Sequence, residues 1–212
     1  MMTGATLQVP AFPLPGAILF PRGQLPLHIF EPRYRAMIKD ATAANHLIAM
    51  VQPREGGDRP ALFDIGCLGR IEACTEMPDG RFNIVLEGLT RFRIAGEPSV
   101  ATPYRQLEID CAAFARDEGE CEPLASIQRA ALEQEARRYA DMLGYGVDWN
   151  AVSRIDDEML VNGIAQLAPL DVGSKQALLE AETLPMRADL LVQFMQFQRL
   201  APGGGERAET LQ

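Results

Sequence analysis

Apolar and polar residues follow one period up to about residue 115 and another beyond it. In the first stretch, Leu25–Ile29 and His46–Val51 are short apolar runs of strand length. Between them Tyr34, Met37, Ile38 and Ala41 recur at helical spacing, and Glu31 and Pro32 suit a helix start, which predicts a helix over 32–43. Residues 53–60 have loop chemistry throughout. Residues 66–111 read as a meander. Phe82, Ile84 and Leu86 share one strand face after a turn at Met77–Gly80. A separate strand over 91–94 turns Phe92 and Ile94 one way and Arg91 and Arg93 the other, and Leu107, Ile109 and Cys111 form the inward set of the next. Short strands with frequent turns predict a small barrel or sandwich.

Beyond residue 115 the period is 3.6. A helix is predicted from Pro123 to Leu143, closed by Gly144. Asp156 is an N-cap for 157–168, and Ser174 caps 175–182 through its hydroxyl. Pro185 opens a last helix whose apolar stripe is Leu190, Leu191, Phe194, Met195 and Phe197, with Leu200 as an extension. Gly203–Gly205 and the residues after them read as a flexible tail.

Charge supports the same division. Residues 1–115 hold 11 basic and 12 acidic side chains, whereas 116–212 hold 9 and 17, within a total of −9. The expected units are therefore 1–115, 116–202 and the tail 203–212, with the boundary near 111–123. A content of 47% hydrophobic and 23% charged residues suffices for a packed core and excludes wholesale disorder. The acidic balance argues against a phosphate-neutralising role. Basic residues are 18 Arg and 2 Lys, a bias that fits a GC-rich coding sequence or selection for bidentate pairing.

Much familiar chemistry is missing. Neither Lys39 nor Lys175 follows a glycine, so there is no P-loop, and none of Ser99, Ser126, Ser153 and Ser174 sits in a G-x-S-x-G elbow. Cys67, Cys74, Cys111 and Cys121 contain no C-x-x-C, and on a regular strand Cys67 and Cys74 point to opposite faces. His28 and His46 lie in apolar runs and read as structural. Acidic pairs such as Asp117-Glu118, Glu120/Glu122 and Asp156–Glu158 read as solvated faces or helix starts. Pro10, Pro13, Pro15 and Pro21 break any helix in the uncharged first 21 residues, and no basic region precedes them, so neither a membrane segment nor a signal peptide is expected. The expected setting is cytoplasmic, with free thiols, no metal and no cofactor.

One stretch is specific. Phe12–Pro21 followed by Leu25–Arg35, reading LPLHIFEPRYR, resembles the opening of the Lon protease N-terminal domain family, also called the Lon substrate-binding domain. Ile65–Ile71, Asn83–Ile94 and Lys175–Glu180 are similar to further segments of that family, so the resemblance spans roughly 7–200. It implies an α+β fold: a PUA-like β-barrel followed by an α-helical bundle. It also implies a stand-alone, bacterial, non-enzymatic recognition module, without the Lon ATPase and Ser-Lys peptidase modules. The implied partners are polypeptide segments or partly unfolded proteins, with RNA binding as the alternative because PUA-like barrels include RNA modules.

For site residues, Phe30, Tyr34 and Phe92 are the aromatic candidates for a recognition surface, against core burial for each. Glu31, Arg33, Arg91 and Arg93 are candidates for an ion-pair network, structural or binding. Pro13, Pro15, Gly16 and Pro21 are expected to fix an extended segment.

Overall fold

The computed structural model describes residues 6–54, 59–119 and 123–200. Six strands form one sheet in the order β2-β5-β4-β3-β1-β6. They are β1 (Leu7–Pro13), β2 (Gln24–Ile29), β3 (Leu47–Val51), β4 (Ile65–Glu76), β5 (Phe82–Gly96) and β6 (Gln106–Asp110). β1 and β3 run parallel, which requires a crossover, and helix α1 (Pro32–Ala43) lies within it. The rings of Phe12 and Tyr34, 4.5 Å apart, hold α1 against β1.

The two strands expected at 81–86 and 91–94 are one continuous strand of 15 residues. Its length follows from its partners. β4 lines one edge, while β2 takes Phe82–Glu87 of the other edge and β6 takes Arg93, Ile94 and Gly96. Register shifts at Leu68/Gly69, Ile71/Ala73 and Ile94/Gly96 let the long ribbons bend, as bulges do. Mid-strand Gly88 permits close approach, since a Cβ there would lie 2.0 Å from the carbonyl oxygen of Phe20. Alternating residues build the core: Val9 and Ala11, Leu47, Ala49 and Val51, Leu68, Phe92, Leu107 and Ile109.

The chain divides into two compact units, Met1–Glu120 with Asp171–Leu179, and Cys121–Leu170 with Glu180–Gln212. The first therefore includes helix α5 (Val172–Glu180) as far as Leu179. Polar side chains fix α5 there. Lys175 Nζ donates to the Gly16 carbonyl at 2.9 Å, and Gln176 Nε2 donates to that of Ile65 at 2.9 Å. Gln176 Oε1 accepts from Gln52 Nε2 at 3.2 Å, and Gln52 Oε1 accepts from the Gly16 N–H. Burial pushes the Lys175 ammonium below its ordinary pKa. The expected Ser174 cap is corrected: α5 starts at Val172, and Asp171 accepts from the Ser174 N–H at 2.9 Å.

In the second unit, α2 (Ser126–Leu143) begins three residues after Pro123 and ends at Gly144, whose φ of +73° is the left-handed conformation glycine tolerates. A short α3 (Trp149–Val152), unforeseen in the sequence, is capped by Asp148. Asp156 caps α4 (Asp157–Leu167) as expected, accepting from the Met159 N–H. The last helix, α6 (Leu184–Leu200), buries Leu191 and Met195 of the expected stripe but leaves Phe197 and Leu200 exposed. Arg129 pairs with Asp157 at 2.5 Å, and Arg199 with buried Glu135 at 2.8 Å. Among the described residues no helix is long and apolar enough to cross a membrane. Cys121, Glu120, Glu122 and the expected tail 203–212 lie outside the described residues.

Candidate functional site

The first unit carries a cleft of about 610 Å³. The end of β1 contributes Pro13 and Pro15, and the first turn of α1 contributes Arg33 and Tyr34. Pro53 and Arg54 follow β3, Arg59 and Pro60 stand across from them in the same loop, and the β5–β6 connection brings Glu97 to Arg105. Proline fixes φ, so these walls have little conformational freedom to lose on binding. Proline also lacks an N–H, so the arginines supply many of the donors.

Four guanidinium groups face this space. Arg105 grips Glu97 in a fork, Nε to Oε1 at 2.9 Å and Nη2 to Oε2 at 2.6 Å, and Nη1 donates to the Pro60 carbonyl. Arg59 reaches the same carboxylate at 2.7 Å. Arg54 donates to the Leu62 carbonyl, pairs with Asp64 at 3.2 Å and stacks on Phe63 at 4.6 Å. Arg33 pairs with Glu31 at 2.9 Å and lies over the Tyr34 ring. Tyr104 donates to Asp40 at 2.7 Å. Burial, aided by that hydrogen bond and charge, pushes its phenol up to about 12, so it stays protonated and is no base. Among the described residues, no group of three His, Cys, Asp or Glu side chains is placed to hold a metal.

The hydrogen bonds from Arg105 hold the Glu97 carboxyl below its ordinary 4.5, with burial opposing and Arg59 adding to the effect. A carboxylate depressed by folding stabilises the fold above its unfolded pKa, and this is lost as pH falls through the folded one. Glu97→Gln is therefore expected to melt below the parent at about pH 7, with the gap closing below about pH 4.5. Melting curves across that range test it, and a pH-independent gap would remove the carboxylate charge as the cause.

The seven aromatic and ion-pair candidates from the sequence fall into different places, Arg93 being exposed on β5. Arg33 and Tyr34 line the cleft, with the Tyr34 ring largely buried. Glu31 precedes α1 and pairs with Arg33. Phe30 is 60% exposed on the β2–α1 connection, its ring 6.3 Å from that of His28. Arg91 and Phe92 are elsewhere. Phe92 is wholly buried, and Arg91 forms a buried pair with Asp117 at 2.8 Å instead of joining Glu31 and Arg33. Sequence reasoning missed Arg54, Arg59, Glu97, Tyr104 and Arg105. One signal was available: Arg33, Arg54, Arg59 and Arg105 each stand within two residues of a proline.

A second, apolar cavity of about 240 Å³ lies within the second unit, walled by Tyr139, Leu143, Trp149, Leu160 and Met195.

Residues 8–196 match the family described as the ATP-dependent protease La (LON) substrate-binding domain. Lon protease 2 of Myxococcus xanthus is 26% identical over 197 residues, which cover 90% of this chain and 24% of that protein. The chain thus spans about a quarter of such a relative. Among solved structures, the N-terminal domain of the Mycobacterium avium complex Lon protease superposes with a TM-score of 0.62 at 19% identity, over 90% of this chain and 98% of that one. A Lon N-terminal domain protein from Xanthomonas campestris gives 0.60 at 22% identity, over 89% and 99%. At these identities the likeness shows a shared fold.

Proposed function

The chain belongs to the Lon substrate-binding domain family, and from that premise we propose that it recognises polypeptide segments without acting on them chemically. We read the first unit as a PUA-like barrel, its pairing running β5-β4-β3-β1-β6 and back to β5, and the second as a helical bundle. Its partners are partly unfolded proteins in the cytoplasm, and it works without a cofactor, ATPase or peptidase.

The cleft carries this reading. Its volume lies in the ~300–1,000 Å³ range of ligand sites, and its walls are rich in proline and in donors. A backbone segment offers carbonyl acceptors to such a surface and needs no reactive group there. Phe30, exposed on the connection between β2 and α1, offers a separate apolar contact outside the cleft lining.

A reduced and alkylated model protein titrated by fluorescence anisotropy tests the reading. Phe30→Ala is expected to weaken binding about fivefold to tenfold, the size of a contact on the threshold of a hot spot. Its melting temperature should stay within about 2 °C of the parent, because substitutions of exposed residues cost little stability. Affinity for a client of low net charge should change little between about 50 and about 200 mM salt. A fall of tenfold to a thousandfold, as phosphate contacts give, with RNA competing, would favour nucleic acid instead. Absence of binding to any unfolded client would sink the proposal.

A further inference from the structure

We infer that the apolar cavity of the second unit is a binding site for a small uncharged aromatic molecule of one or two fused rings; this stands apart from the polypeptide-recognition reading of the cleft. The cavity holds about 240 Å³. Apolar cavities of ~150 Å³ accept benzene, and sites for drug-sized ligands begin near ~300 Å³, so the space suits a single bicyclic ring system. Among the described residues, none that lines it is charged, and its polar side-chain groups are the hydroxyls of Tyr139 and Tyr145 and the indole N–H of Trp149. Tyr139 already donates its hydroxyl to Gln198. A charged ligand would lose its hydration there without gaining a counterion. The backbone of a polypeptide would leave its amides with few partners, which the donor-rich cleft of the first unit does not do. Three aromatic rings and the Met195 thioether offer an uncharged ring the contacts it prefers.

Polar bonds hold the walls of this cavity apart. An apolar space without such ties closes to recover dispersion contacts. α2 is fixed to α6 by Glu135 with Arg199 at 2.8 Å and by Tyr139 with Gln198. α4 is fixed to α6 by Arg187 Nη1, which donates to buried Asn162 at 2.8 Å, and to α2 by Arg129 with Asp157. Asp148 caps the short α3, and the Arg137 guanidinium stacks on the Trp149 ring at 4.6 Å. Gly163 lies within α4 and lines the space, yet a Cβ there would meet no atom within 4 Å. Glycine is less stable than alanine in a helix interior, and no neighbouring atom requires it here. What it preserves is open volume at the wall. The exposed Tyr145, Val147 and Leu167 mark where the cavity opens, so a ligand can enter.

The test titrates naphthalene and its carboxylate, naphthoate, into the full chain. It follows heat and the NMR signals of the Met195 methyl and the indole N–H of Trp149, the chain's one tryptophan. Naphthalene is expected to shift both signals and to bind with a dissociation constant on the order of 10–100 µM, well inside the ceiling for a ligand of about ten heavy atoms. Naphthoate should bind about tenfold more weakly or worse, because its carboxylate finds no partner. Gly163→Leu fills the wall and should weaken naphthalene by about tenfold or more through lost contact area. Gly163→Ala should weaken it about twofold and melt above the parent. Lack of naphthalene binding, shifts that spare Met195 and Trp149, or equal affinity for naphthoate overturns the inference. So does a folded Gly163→Leu with parent affinity; if that variant does not fold, unchanged affinity in Gly163→Ala decides against the site. The reduced, alkylated model protein is the last arm. If it displaces naphthalene and binds the Gly163 variants more weakly than the parent, the cavity serves polypeptide and the inference falls. Naphthalene binding that leaves model-protein affinity unchanged upholds the inference, whatever becomes of the cleft.

Discussion

Asp117→Ala is expected to cost about 3–5 kcal/mol, the range for removing one partner of a buried pair. Arg91 and Asp117 are 6% and 8% exposed, and their contact is a two-pronged fork, Nε to Oδ2 at 2.9 Å and Nη2 to Oδ1 at 2.8 Å. The same carboxylate accepts the Arg91 backbone N–H at 2.9 Å, and Arg91 Nη1 donates to the Leu179 carbonyl. The Asp117 carbonyl accepts from Arg22. One carboxylate thus joins the middle of β5, the 3₁₀ segment Ala112–Glu118 and, through Arg91, the end of α5. Alanine strips a buried guanidinium of its counterion, and the loss should appear as a fall in Tm of roughly 10 °C. The apolar double variant Arg91→Met with Asp117→Leu should recover much of it, since matched hydrophobic replacement of a buried pair is often close to neutral. A loss below about 1 kcal/mol for Asp117→Ala would show that the pair is solvated in solution.

Phe92→Ala should destabilise by a similar amount, about 3–5 kcal/mol, through lost burial and the cavity left behind. The ring has 0% exposure and belongs to the cluster of Val9, Leu47, Leu68, Leu107 and Ile109. It fits because residue 66 is glycine: a Cβ there would lie 2.4 Å from its Cζ. Phe92→Leu should cost clearly less. Denaturant unfolding gives both values. The folded fraction of Phe92→Ala should bind an unfolded client as the parent does, which separates a core ring from a recognition ring. A stable Phe92→Ala that has lost client binding would return Phe92 to the site.

These two neighbours show how far local pattern reaches. Strand alternation correctly turns Phe92 and Arg91 to opposite faces, but it does not say what covers Arg91. The structure covers that face, because Asp117 arrives from 26 residues further on. The cleft is similar. Arg33 and Tyr34 are legible within a short motif, whereas Arg54, Arg59 and Arg105 stand in loops without periodicity, and only the folded chain brings them beside Glu97.

By itself the sequence determines what is local: the change of period near residue 115, the alternation of Phe82, Ile84 and Leu86, the Asp156 cap and the Gly144 stop. Each depends on side-chain spacing or a backbone preference acting within a few residues. The tertiary structure decides what needs distant partners. β5 continues through Gly88 because β2 and β6 share its edge. α5, helical like the segments around it, belongs to the first unit because Lys175 bonds Gly16, 159 residues earlier, and Gln176 bonds Ile65, 111 residues earlier. Such bonds satisfy buried polar groups that local structure leaves open, and their geometry exists only once the sheet has assembled.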